Sequence, residues 1–281
     1  MAAIGFKVAE GMRTAEKLNH ILALPKGGEP VIGDLGGVSV SVPINYTFLT
    51  TEYDGDPNVL APERSRWIPP VRTYESKINS LAMVVHLPDF LPRTAENEAS
   101  YYRSRKTFGE PEEWLEIGVS AGGQFFIRDD VLKGGRIYDQ KKMVDGFSRP
   151  VNPAFKQGPR YVVYLKKIDL RHGLIEYQPI GFPDNSEANP YNYRLFFHEV
   201  DGRSVSYIRC SANGSPFEGS ARNVCVHKFV LYPVMMAEVS LRYDARSLYR
   251  WKGYERKSRA LILGFRIQAK LSGSVEIPSR H

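Results

Sequence analysis

Short runs of strand-forming residues, repeatedly cut by Pro, Gly or Asp-Gly, recur along most of this 281-residue chain. That punctuation constrains the fold more than any other feature. Helices need longer uninterrupted stretches, whereas short strands bury a face only by pairing with one another. Residues 35–45 (LGGVSVSVPIN) alternate Val38, Val40 and Val42 against Ser39 and Ser41, the period of a half-buried strand. Residues 78–87 form the next run, which Pro88 ends. Residues 114–119 and 124–128 read as a hairpin about Ala121-Gly122-Gly123. Residues 160–166 reopen the strand pattern, and 174–177 can pair with them. Residues 193–199 and 204–210 flank Asp201-Gly202, the strongest short hairpin signal in the chain. Residues 226–232 and 237–243 are further strands.

Helical signals are fewer. Residues 93–108 are polar and helix-permissive, and Asp244 can cap a helix running to about Lys257. Residues 260–268 (ALILGFRIQ) read as a buried strand. The expected class is therefore α+β, with mainly antiparallel sheets and a few helices. The organisation reads as an N-terminal helix or arm at 1–30, α+β stretches at 31–145 and 155–270, and a flexible tail at 271–281. The polar, Pro-containing segment 133–158 divides the two stretches. Their loosely similar order is compatible with two similar subdomains, although no internal repeat establishes a duplication.

The formal charge is +7, from 38 Lys and Arg against 31 Asp and Glu. Its distribution is uneven. Residues 244–270 hold eight cations against Asp244 and Glu255, so the rest of the chain is close to neutral. On a helical projection Leu248, Trp251 and Tyr254 share one arc, and Arg246, Arg250 and Lys257 lie opposite. Glu255 falls nearer the apolar arc and can pair with Arg259 one turn on. This is either a solvated surface face or a basic face for an acidic partner. Nucleic acid is not expected, because no reader module with exposed stacking aromatics is visible.

No run is long and apolar enough for a transmembrane helix, and the first residues read as a short amphipathic helix without a secretory h-region. Cys210 and Cys225 flank a Gly, Ser and Asn-rich segment between strand-like runs. That placement favours a disulfide, worth on the order of 3 kcal/mol by loop closure, over two buried thiols. A metal site using Cys210, Cys225 and His227 is a remote alternative, since no CxxC pair or fourth ligand lies nearby.

Catalytic motifs are missing: no GxSxG elbow, phosphate-binding loop, HExxH or dinucleotide fingerprint occurs. His86 and His198 sit within apolar strands and read as structural. Neither a metal nor another cofactor is expected. Binding chemistry is better represented. The chain has 16 Tyr, many in loops. Tyr53, Asp54, Asp56, Arg64, Arg66, Trp67, Tyr74, Tyr101, Tyr102 and Arg103 combine the aromatic and Arg anchors of protein interfaces with a compact acidic turn.

The segments LGGVSVSVP, EYDGDP, YESKINSLAMVVHLPDF, YIRC and CVHKFVLYPVMMAEVSLRYDARSLYRWKGYERKSRALILGF together resemble a bacterial family. Its members are similar to the immunity proteins encoded beside type VI secretion spike and lipase-effector genes. The resemblance spans residues 35–267 and implies stoichiometric binding and neutralisation of a secreted phospholipase, without enzymatic activity. It also implies a periplasmic or inner-membrane-peripheral location, which agrees with a Cys210–Cys225 bridge. The departure is that no leader or lipobox cysteine is seen. The alternatives are an envelope-associated effector adaptor that does not inhibit, or a hydrolase with a site no motif reveals.

Overall fold

The computed structural model describes residues 28–57, 61, 66–106, 113–122, 146–150, 161–180, 193–211 and 224–267. Twelve strands occur among them: β1 (Val31–Asp34), β2 (Ser39–Val42), β3 (Glu52–Tyr53), β4 (Ile78–His86), β5 (Trp114–Ser120), β6 (Gly146–Pro150), β7 (Tyr161–Lys166), β8 (Ile175–Ile180), β9 (Tyr193–Val200), β10 (Arg203–Ser211), β11 (Val224–Val230) and β12 (Glu238–Asp244). The helices are α1 (Glu98–Lys106) and α2 (Trp251–Gly264), with 3-10 turns at Ile44–Tyr46 and Ala245–Arg250. The α+β expectation with antiparallel sheets holds.

Strands β3 to β12 form one ten-stranded sheet in the order β3-β4-β5-β12-β11-β10-β9-β8-β7-β6. Every pairing in it is antiparallel. The two stretches read from the sequence are joined in that sheet where β5 pairs β12, Val239 facing Val119 and Leu241 facing Ile117. The expected hairpin between β9 and β10 turns on Asp201 and Gly202, both at positive φ (51° and 72°). Such a turn requires left-handed backbone at both residues, which is why the Asp-Gly dipeptide announces it.

Period-two alternation sorts the sheet into two faces. Cys225, His227 and Phe229 on β11 align with Tyr243, Leu241 and Val239 on β12; the apolar ones belong to the main core, and His227 is buried among them. The β1–β2 hairpin and α2 supply Leu35, Val40, Val42, Trp251, Tyr254 and Ile262 to the same core. Gly36 fastens the hairpin tip. It has φ +63°, and a Cβ there would stand 2.6 Å from the Met236 carbonyl oxygen, so no larger residue fits. On the opposite face, Tyr164, Tyr177, Leu195, Phe197 and Tyr207 make a second cluster. Val84, Tyr101 and Trp114 make a third beneath α1.

The strand expected over 260–268 is overturned. Its described part, 260–267, holds no strand: α2 continues to Gly264, and Asp244 caps the preceding 3-10 turn by accepting from the Arg246 N–H at 2.8 Å. Trp251, Tyr254, Ser258 and Ile262 repeat at three- and four-residue steps and are buried, so the apolar run completes a helical face. A short apolar run looks alike in either period, and only its neighbours decide. The chain does extend after the helix, where the Phe265 carbonyl accepts from the Ser41 N–H and the Ile267 N–H donates to Ser39, both at 2.9 Å. The expected hairpin between 114–119 and 124–128 does not form either, because β4 and β12 occupy both edges of β5; residues 124–128 themselves and the N-terminal arm lie outside the described residues.

Candidate interaction site

The register places several loops at one end of the large sheet. Glu52, Ser80, Ser120, Glu238 and Val230 are successive partners across β3, β4, β5, β12 and β11. Just beyond this row lie the β3–β4 loop and the β11–β12 turn. The β9–β10 turn emerges at the same end, and so does the β7–β8 turn, because Ile175 opposite Phe197 opens β8 toward Val200. Exposed large apolar side chains concentrate here: Trp67, Ile68, Val71 and Tyr74 on the first loop, Tyr232, Val234 and Met236 on the second. Ile68 is 86% and Val71 91% exposed. Loops carried on a rigid sheet are a common setting for partner recognition.

The β3–β4 loop is anchored at its base and open at its middle. The Tyr53 hydroxyl donates to the Ile32 carbonyl at 2.8 Å, and its ring packs in the main core. Arg72 lies 4.0 Å from the centroid of that ring and donates to Asp56 Oδ1 at 2.6 Å. Burial raises the Tyr53 hydroxyl pKa, while Arg72 pulls it down. The Asp54 N–H donates across to the Lys77 carbonyl at 2.9 Å, and the Asp56 N–H donates to the Tyr53 carbonyl at 3.1 Å, closing the acidic turn about Gly55. Ser76 secures the far end, its carbonyl accepting from Asp34 N–H at 2.9 Å. Between these anchors the segment carries Arg66, Trp67, Ile68, Val71 and Tyr74 outward. Asp54 is exposed too, whereas Tyr53 and Asp56 act inside the loop's base; Arg64 lies outside the described residues.

Tyr101, Tyr102 and Arg103 stand elsewhere, on α1 near the opposite end of the sheet. Tyr101 is buried, edge-on to Trp114 at 5.3 Å and under the Arg93 guanidinium at 4.7 Å. Trp114 Nε1 donates to Ser100 Oγ at 2.9 Å. Tyr102 is half-buried, which raises its hydroxyl pKa, and Arg103 faces outward. Helical spacing that puts two adjacent tyrosines on different faces was readable; which one the sheet would cover was not.

The expected two-sided character of residues 244–257 is present. Leu248, Trp251 and Tyr254 are buried, and Arg246, Arg250 and Lys257 are exposed. Each cation also has a local contact. Arg246 makes a two-pronged pair with Asp244 at 2.9 Å, Arg250 Nε donates to the Tyr249 hydroxyl at 2.8 Å, and Lys257 donates to the Pro88 carbonyl at 2.7 Å.

Beneath α2 lies a polar cluster that the sequence half disclosed. Arg259 donates to Glu255 Oε1 at 2.9 and 2.8 Å, as the spacing predicts. Glu255 Oε2 also accepts from Ser206 Oγ at 2.6 Å and lies 3.1 Å from His227 Nε2. Burial works against the ionised carboxyl, but the His227 hydrogen bond and charge, then Ser206 and Arg259, outweigh it and hold the pKa at about 2. Burial lowers the His227 pKa below its ordinary value, with Glu255 opposing. Nε2 is the ring nitrogen that faces the carboxylate, so it is the one that donates when it carries a proton. Ser206 and His227 both point at the same carboxylate oxygen, which is not the serine-to-histidine order that activates a nucleophile. The cluster ties helix to sheet. His227 shares its inward face with Cys225 and Phe229, the one signal that could have placed it.

Cys210 and Cys225 face each other across β10 and β11 and are joined in a disulfide. Both are buried. The bond uses the two sulfurs that the metal alternative needed, and no group of three or more His, Cys, Asp or Glu able to hold a metal occurs among the described residues. No helix among the described residues is long and apolar enough to cross a membrane.

No family model and no curated protein matches the chain. Two solved structures are similar in fold. An immunity protein of the Stenotrophomonas maltophilia type IV secretion system aligns with 88% of this chain and 98% of its own, at 18% identity and a TM-score of 0.50. The Neisseria meningitidis iron-regulated outer membrane lipoprotein FrpD aligns with 85% of this chain and 93% of its own, at 12% identity and a TM-score of 0.44.

Proposed function

We propose that this protein is an immunity protein, which binds a cognate secreted effector and neutralises it in a stoichiometric complex. The observation that carries this reading is the likeness to the Stenotrophomonas secretion-system immunity protein, which runs over 98% of that chain. The resemblance in the sequence segments supports the same class by a separate route. It narrows the effector to a phospholipase delivered by type VI secretion. Such a protein acts through a rigid scaffold and exposed anchors, and the β3–β4 loop supplies both. Arg66, Trp67, Ile68, Val71 and Tyr74 form its contact set, with Asp54 beside them. The disulfide supports an oxidising compartment such as the periplasm.

The test is a search for a lipase gene beside this one and reconstitution of its product with this protein. A one-to-one complex, loss of lipase activity on titration and survival of cells co-expressing both proteins are expected. Binding without inhibition would make the protein an adaptor instead, and no binding to any neighbouring effector would remove the immunity reading.

A further inference from the structure

The β7–β8 connection presents a different surface from the β3–β4 loop. Ile168 is 100% and Leu170 64% exposed at its turn, and Val163 and Leu165 on β7 are exposed below them. Lys167 and Arg171 are exposed around the aliphatic pair, Lys166 is half-exposed, and Asp169 is the lone acid between Lys166 and Arg171. Part of the basic segment comes to the same place. Trp251 Nε1 donates to the His172 carbonyl at 3.0 Å, and the His172 ring stands 6.4 Å from Tyr249. Tyr249 is 58% exposed and carries Arg250 over its ring at 5.2 Å.

Two aliphatic side chains at the crest of a hairpin, an amphipathic tyrosine beside them and four surrounding cations match an anionic lipid surface. Aliphatic groups enter the acyl boundary, Tyr sits at headgroup depth, and Lys and Arg reach phosphates with their charged ends. We propose that the β7–β8 turn, with Tyr249 and Arg250, is a peripheral docking surface for anionic membrane. It explains why Arg250 of the basic segment stands beside exposed apolar groups. The inference does not rest on the immunity reading.

The probe is phosphatidylcholine vesicles containing one-third phosphatidylglycerol, sedimented with the full chain. Binding to these and not to pure phosphatidylcholine is expected, with release at high salt. Ile168→Ser/Leu170→Ser and Lys166→Glu/Lys167→Glu should each weaken partitioning at least about tenfold. Both pairs are surface changes, and unchanged circular dichroism and thermal midpoint would establish that the variants fold. Absence of binding to the anionic vesicles, or binding unaltered in both variants, overturns the proposal. So does loss of effector binding in these variants when the parent ignores vesicles, which would make the turn a protein contact. Inhibition of a lipase on soluble substrate is scored separately, so either reading can fail alone.

Discussion

Under α2, Ser206, His227 and Arg259 converge on the single carboxylate of Glu255, whereas on the β3–β4 loop Ile68 and Val71 stand almost wholly in water. The first region closes polar groups upon one another, so removing a member strands the others in a poor solvent. The second region leaves apolar groups without such closure, so the fold does not depend on them. The proposed function thus assigns stability and partner contact to different parts of the molecule, and substitutions should separate them.

The largest effect is expected from Glu255→Ala. It takes from Ser206, His227 and Arg259 the carboxylate they share, leaving Arg259 only the Val230 carbonyl, and should lower unfolding free energy by about 3 kcal/mol in urea titration. A loss of under about 1 kcal/mol would show that the cluster is ornament rather than fastening. The double change Cys210→Ser/Cys225→Ser should cost about 2–3 kcal/mol, read from the same titration. An unchanged midpoint would detach the disulfide from the stability of the helix side.

Acid should weaken the helix side first. His227 has a folded pKa below its ordinary value of 6.5, so its contribution is present above that value and is lost as pH falls beneath it. Glu255 is likewise depressed, from 4.5 to about 2, and its contribution is lost between those values. Chemical unfolding at a series of pH values should show stability falling in two steps, and His227→Phe should flatten the upper one. A rise in stability on acidification would contradict this placement of charge. The smallest stability change belongs to the loop. Trp67→Ala/Tyr74→Ala should alter unfolding free energy by less than about 1 kcal/mol while weakening effector binding at least about tenfold. Equal affinity with the parent would exclude these residues from the contact set.

Local chemistry made much of the sheet legible. Alternation in residues 38–42, Pro88 after β4, and Asp201-Gly202 between β9 and β10 each act within a few residues of the chain. What was not legible depends on distant partners. Tyr53 and Tyr101 look like any other loop or helix tyrosine until Arg72, Ile32 and Trp114 are brought to them. The helical end of residues 260–264 was hidden for the same reason, because its buried face is completed by residues before it. Glu255 was visible as Arg259's partner, but Ser206 lies 49 residues away and His227 28, beyond the reach of helical spacing. The Trp67 and Tyr74 exposures agree with their reading as surface groups, and their role toward a partner awaits the substitutions above.

The pairing of β5 with β12 also sets a timetable. Ser120 meets Glu238, more than a hundred residues later in the chain. On the ribosome β4 and β5 emerge long before their neighbour, and the edge of β5 must wait with its backbone groups unpaired. Assembly of this sheet is therefore a late, non-local event, slow by its topology and exposed to mispairing while the nascent chain lengthens.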